Sequence, residues 1–185
     1  MAKISKKPGT HLYPVPASLI TCGPVDRPNI ITLAWVGTLC SEPPIVGISI
    51  RPSRYSHKLV KDSGEFAVNV PTVEIARTVD WCGTVSGHST DKFKAMQLTP
   101  VPTQVIHTVG IQECPLTLEC QVTQSLALGS HELFLGKIVA VQADEAILDA
   151  RGELDLSKAR ALAYGGHSYW ALGDFIARQG FTASA

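Results

Sequence analysis

The chain has no net charge to offer a polyanion: among its 185 residues, sixteen Lys and Arg balance sixteen Asp and Glu. Without a chain-wide field, nucleic acid and an anionic membrane surface are poor partners. No apolar run approaches the ~20 residues that cross a bilayer. The stretch after Lys3, Lys6 and Lys7 is too short and broken for a secretory leader. A soluble, cytoplasmic protein is expected. The five cysteines (Cys22, Cys40, Cys82, Cys114 and Cys120) are odd in number and include no C-x-x-C pair, which argues against a disulfide framework and a zinc knuckle. They read as buried thiols behaving as small hydrophobes. The six histidines form no H-x-x-x-H or H-x-H pair, so no metal site is expected. G-x-G-x-x-G and G-x-x-x-x-G-K-[ST] are both missing, against a Rossmann or P-loop nucleotide site. No G-x-S-x-G elbow and no evident carboxylate pair point to a hydrolase. A chain with so few candidate acids, bases and nucleophiles leaves its chemistry to a bound cofactor.

What is present is ordinary globular composition, 45% apolar and 17% charged, in a length that suits one domain. Residues 1–185 read as a single unit whose first sixteen residues form an arm. Ser18 to Cys22, Asn29 to Val36, Ile45 to Arg51 and Phe66 to Val70 read as strands, with a Gly- and Pro-rich reversal at 23–28. Tyr55 to Asp62 reads as a short helix stopped near Gly64. Thr72 offers an N-cap to a second helix with Ile75, Val79 and Cys82 on one face. Residues 83–90 read as a loop and Asp91 to Met96 as a helical turn or two. Leu116, Leu118, Cys120 and Val122 alternate with Thr117, Glu119, Gln121 and Thr123, predicting a strand with one buried and one wetter face. It should pair as a hairpin with Leu133 to Val141 through a turn at Gly129-Ser130. A charged excursion over 144–157 and a glycine-bearing tail from Tyr164 follow. Short strands, few helices and frequent turns predict a mainly β fold, an antiparallel barrel with peripheral helices.

Three segments exceed what core or generic surface requires. Asn29, Thr32 and Trp35 set polar and aromatic groups into an otherwise aliphatic strand, as a planar heteroaromatic ligand would need; an ordinary strand with Trp35 in the core is the alternative. Arg51, Ser53, Arg54 and Ser56 surround the start of a helix, a plausible phosphate cradle or else a solvated basic turn. In Ser86-Gly87-His88-Ser89-Thr90-Asp91-Lys92 small residues let backbone approach a ligand and Lys92 offers a cation, although Asp91 also suits a helix cap.

Taken in order, Tyr13-Pro14-Val15-Pro16, Asn29 through Trp35, Ser41-Glu42-Pro43-Pro44, Arg51 through His57, Phe66-Ala67-Val68-Asn69, and Ser86-Gly87 leading to Asp91-Lys92-Phe93 resemble the flavin reductase-like family of FMN-binding split barrels, flavoredoxins above all. The likeness runs over roughly residues 12–180. It implies a split antiparallel β-barrel homodimer with FMN near the subunit interface. It also implies that Asn29, Thr32 and Trp35 line the isoalloxazine and ribityl chain, that Arg51, Ser53, Arg54 and Ser56 surround the phosphate, and that Ser86, Gly87, Asp91 and Lys92 meet the pyrimidine edge. His131 and Tyr164 match later family positions near the flavin, on the same subunit or its partner. Ser56 replaces the Thr of some relatives, and Tyr164 adds a hydroxyl to a usual aromatic. The implied activity is that of a flavin-dependent oxidoreductase or electron-transfer flavoprotein. Electrons would come from NAD(P)H or a redox protein and pass to flavin, ferric or protein acceptors. A non-catalytic FMN carrier, a relative of the pyridoxamine-phosphate oxidase type and a ligand-free dimeric scaffold remain alternatives.

Overall fold

The computed structural model describes residues 1–183; Ser184 and Ala185, the last two residues of the single expected domain, lie outside the described residues. In chain order the strands are β1 (Val15–Pro16), β2 (Ser18–Cys22), β3 (Asn29–Leu33), β4 (Val36–Cys40), β5 (Ile45–Ile50), β6 (Glu65–Val70), β7 (Pro100–Pro102), β8 (Val109–Ile111), β9 (Leu116–Ala127), β10 (Glu132–Ala143), β11 (Leu162–Gly165) and β12 (Ser168–Ala171). The helices are α1 (Tyr55–Ser63), α2 (Ala76–Thr84), α3 (Lys92–Met96) and α4 (Leu156–Ala159). Seven strands form one antiparallel sheet in the order β3-β2-β6-β9-β10-β5-β4. Its two outermost strands, β3 and β4, are consecutive in the chain, so the sheet rolls up. The Ser49 amide donates to the Trp35 carbonyl at 3.0 Å, continuing the β4–β5 ladder into the link between β3 and β4. Two small sheets flank the barrel, β1-β11-β12 and β7-β8.

Strand β2 explains how the barrel gains a second layer. All five of its residues are buried, which period-two alternation allows only if both faces are covered. Ile20 and Cys22 point into the barrel with Ile31, Ile48, Phe66, Val68, Cys120 and Phe134. Leu19 faces the other way and packs with Ile30, Val79, Cys82, Phe93 and Ile111 under α2 and α3. The face carrying Val79 and Cys82 is therefore the one the helical spacing indicated.

Several expectations need correction. The strand expected over 29–36 breaks after Leu33, and the chain reverses through Ala34-Trp35 into β4. Thr72 heads a single 3₁₀ turn over Val73–Ile75 and makes no side-chain cap bond; α2 starts only at Ala76. The last two residues of the arm pair with β11, and the segment from Tyr164 is half of a hairpin rather than a loose tail. The hairpin of β9 and β10 forms in the expected register region, with Gly129 at φ 81° in its turn. Gln121 and Thr123 on its polar face are exposed as expected, but the first half of that face is not wet. Thr117 and Glu119 are buried. Thr117 donates to Asn69 Oδ1 at 2.9 Å, and Glu119 accepts the amides of Gln104 (2.7 Å) and Val105 (2.8 Å) and the Gln142 side chain (2.8 Å). Burial works against that carboxylate, but the amide bonds outweigh it and hold the carboxyl below its ordinary value. A loop folded over this half of the strand thus converts solvent positions into interior ones.

Gly136 of β10 sits where the barrel is tightest. A Cβ there would lie 2.5 Å from Phe66 Cζ and 3.0 Å from Cys120 Cβ, inside van der Waals contact on two sides. Gly136→Ala is expected to lower unfolding stability by about 1–3 kcal/mol through overpacking, measured by urea denaturation. An unchanged denaturation midpoint would show that the barrel relaxes around the methyl group.

Candidate functional site

The seam of the barrel is where the chemistry-bearing segments meet. A cavity of about 500 Å³ is lined by Thr32, Leu33, Ala34 and Trp35 from the β3–β4 reversal, and by Ser49, Arg51 and Arg54 from the end of β5 onward. Asp80 and Gly83 of α2, His131, and Tyr164, His167 and Tyr169 of the β11–β12 hairpin complete it. A smaller cavity of about 180 Å³ adjoins it, with Ile31, Arg54 and Gly83 in both linings. Asn29, Ser53, Ser56, Ser86, Gly87 and Lys92 line this smaller space. Twelve of the residues singled out in the sequence therefore fall along one cleft. Asp91 does not: its carboxylate caps α3, accepting the Lys94 amide at 3.1 Å, and faces a neighbouring cavity.

Local chemistry explains how each group is held. Asn29 is buried and its Nδ2 donates to Ser56 Oγ at 2.7 Å, tying β3 to the first turn of α1. A Cβ on Gly87 would run into the Asn29 side chain, so only glycine fits that loop position against β3. Thr32 Oγ1 donates to the Val79 carbonyl of α2. Gly83 leaves room for that approach, since a Cβ there would sit 3.1 Å from Thr32 Cβ. The exposed Arg51 and Arg54 guanidiniums make no described side-chain bond and leave their forks to the cleft.

Lys92 departs furthest from expectation. Its Nζ is buried and donates to the carbonyls of Ile30 (2.7 Å) and Cys82 (2.6 Å). Two of its three donors therefore hold backbone, one remaining for anything in the cleft. Burial lowers the ammonium below its ordinary value. Ser86, Gly87 and Lys92, which the family resemblance sets at the pyrimidine edge, stand beside Ser53, Arg54 and Ser56, its phosphate set. Burial pushes the nearby Cys22 and Cys82 thiols up to about 12 and about 11, which keeps them neutral and inert.

The far wall was largely invisible in the sequence. Tyr169 donates to Asp80 Oδ1 at 3.1 Å, and burial together with that carboxylate pushes its hydroxyl up to about 12. Tyr164 lies 3.4 Å from His167 Nδ1 and packs edge-on between Tyr13 and Tyr169. The missed signal is Gly165-Gly166 between aromatic residues, a hairpin turn pattern; Gly166 and His167 have φ 60° and 63°. His131 is half-buried in the same chain's cavity, and burial, then the Arg51 charge, lowers its ring below the ordinary value. Its neighbour Glu132 accepts from His57 Nε2 (2.7 Å), Ser125 (2.8 Å) and Lys61 (3.2 Å). This clamps α1, and with it the cradle, to β10.

Comparison with known proteins decides what this cleft belongs to. Residues 10–172 match the family model described as the flavin reductase like domain. The chain is a member of the flavin reductase-like family. An uncharacterized protein of Archaeoglobus fulgidus is 38% identical over 145 residues, 78% of this chain and 81% of that one. Among solved structures, flavoredoxin of Desulfovibrio vulgaris (Miyazaki F) is 31% identical with a TM-score of 0.93, over 99% of this chain and all of that one. Flavoredoxin from Methanosarcina acetivorans is 28% identical with a TM-score of 0.91, over 100% and 98% of the two chains. The barrel of this family member is thus a flavin reductase-like split barrel, as the motif order implied.

The Glu132 clamp makes the cradle acid-sensitive. The Ser125 and His57 bonds hold its carboxyl at about 2 against an ordinary 4.5, so its stabilisation is complete above that ordinary value and is lost as pH falls towards the depressed one. Glu132→Gln is expected to flatten the acid limb of stability between about pH 4.5 and about pH 2, read as urea midpoints across that range. Parallel acid limbs in the two proteins would remove Glu132 from this role.

Proposed function

We propose that this flavin reductase-like protein holds FMN in the seam cleft and acts as a flavin-dependent oxidoreductase. It would take electrons from NAD(P)H or a redox protein and pass them to a flavin, ferric or protein acceptor. The observation that carries this reading is the two-part cleft. A space of about 500 Å³ suits a planar ring system, whereas about 180 Å³ suits only a small polar end group. The ring system fits against Thr32 to Trp35, with His131 and Tyr164 at its edges. The phosphate fits between Ser53, Arg54 and Ser56, and we assign Ser86, Gly87 and Lys92 to that end as well. This assignment departs from the pyrimidine-edge expectation because a buried cation and a close-approach glycine suit an anion in a confined space.

Bound FMN would supply the electron uptake and release that no side chain here provides. The chain's own groups orient it: Arg54 forks the phosphate, Asn29 and Glu132 fix the cradle, and the aromatic wall of Tyr164 and Tyr169 limits water. We further propose that the protein works in the cytoplasm as a homodimer. Retention of flavin absorbance after saturation with FMN and desalting tests the reading, and a colourless product rejects it. A second reading, an FMN-binding electron carrier without NAD(P)H oxidation, is favoured by the likeness to two flavoredoxins. Anaerobic mixing with NADH and NADPH separates the two, since a reductase bleaches and a carrier stays yellow.

Ser53 and Arg54 are both exposed, so removing them leaves the core intact. Ser53→Ala with Arg54→Ala is expected to weaken FMN by about 10- to 100-fold, the value of one or two charge-assisted bonds, and to leave riboflavin nearly unchanged. Fluorescence titration of both ligands reads the difference; equal losses would move the phosphate elsewhere.

A further inference from the structure

A cavity of about 390 Å³ lies apart from the seam cleft and shares none of its lining residues. Its volume is that of a small-molecule site, and nothing in the flavin reading uses it. Pro24 of the β2–β3 turn and Leu59 of α1 give it an apolar wall, whereas Asp62, Glu65, His107 and Thr108 bring polar groups. Phe66 belongs to the barrel core, so strand alternation sends Glu65, at the start of β6, to the outer face.

Two groups in this lining are unspent. Thr108 is 2% exposed. The Thr103 hydroxyl donates to its backbone carbonyl at 2.8 Å and pins the chain there. Its own Oγ1 is the one buried side-chain polar atom among the described residues that has no hydrogen-bond partner. Such a hydroxyl costs free energy until something meets it. The Glu65 side chain is 14% exposed. Its Oε2 accepts the His107 amide at 2.8 Å and stands 3.2 Å from His107 Nδ1. Its Oε1 accepts nothing among the described residues, and no Lys or Arg of theirs pairs with it. Asp62, by contrast, is already matched by Lys58.

We propose that this cavity binds a small organic ammonium ion. Its apolar body lies against Pro24 and Leu59. Its ammonium group donates to Glu65 Oε1 and to Thr108 Oγ1, which turns outward about χ1 to meet it. An ammonium carries three donors and no acceptor, which matches a site with two idle acceptors. A guest bearing a carboxylate is repelled by Glu65 and Asp62. A bare metal ion fits less well, since no group of three or more His, Cys, Asp or Glu side chains among the described residues is placed to hold one. The proposal stands apart from the flavin reading, because the two sites have no residue in common.

The test uses the full chain with phenethylammonium as probe, and phenylethanol and phenylacetate as its neutral and anionic counterparts. Binding is read from the backbone amide NMR shifts of His107 and Thr108. Phenethylammonium is expected to shift them saturably and to bind roughly tenfold or more tightly than phenylethanol, the value of one charge-assisted bond. Phenylacetate is expected not to bind. Glu65→Gln keeps an acceptor for the His107 amide and should abolish the preference for the charged probe. Thr108→Val keeps the side chain's shape and should weaken phenethylammonium by roughly threefold or more. It should leave the urea midpoint unchanged or raised, because it removes an unbonded hydroxyl. The proposal is overturned if phenethylammonium gives no saturable shift, if phenylethanol binds equally well, or if either variant binds the ammonium unchanged. A lowered urea midpoint for Thr108→Val would show a hydroxyl already bonded within the fold, and would overturn it as well.

Discussion

The constraint on which the rest depends is the two-residue link between β3 and β4. These strands lie at opposite ends of the seven-stranded sheet, yet only Ala34 and Trp35 separate them. Extended chain spans at most about 3.6 Å per residue, so the last residue of β3 and the first of β4 lie within about 11 Å. A flat sheet is impossible, and the sheet must close upon itself. Closure brings the edges of β3 and β4 together and leaves a seam spanned at one end by the Ala34-Trp35 link. The cleft is that seam. One lip is the reversal from Thr32 to Trp35, the other the run from Ser49 to Arg54.

A seam needs fastening, and polar bonds supply it where apolar packing does not reach. Asn29 ties β3 to α1 through Ser56, Glu132 ties α1 to β10 through His57, and Lys92 draws the carbonyls of Ile30 and Cys82 together. Each group is buried or nearly so, and each is satisfied, which a low-dielectric interior demands. Arg51 and Arg54 stand outside this scaffold. The result is a rigid frame with its cations left for a ligand, an arrangement that lowers the ordering cost of binding.

Much of the architecture was legible in local pattern. Gly64 stops α1 in the left-handed region at φ 67°, with its amide bonded to Val60, as a helix-stopping glycine should. Asp91 caps α3. The spacing of Val79 and Cys82 marked the face of α2 that packs on β2 and β3. The motif order indicated the family and most of the cleft. What was missed lay wherever a residue's environment came from a distant segment. Glu119 and Thr117 looked like solvent positions, because nothing in 116–123 reveals that residues 104–106 fold over Glu119 and that Asn69 and Gly110 close on Thr117. Asp80 was not singled out at all, and His167 lay in the glycine-bearing tail.

The sequence alone therefore determined the strands β2, β5, β6, β9 and β10, where α1 stops, which cofactor chemistry the motif order implies, and which residues are candidates for it. Those properties depend on backbone preference and side-chain periodicity, whose range is a few residues. Tertiary structure alone decided that the ends of the sheet meet, that Lys92 holds backbone carbonyls, and that Ser86 and Gly87 stand beside Ser53 and Ser56. Such outcomes depend on contacts between residues tens of positions apart, which form only when strand pairing and barrel closure bring those segments together.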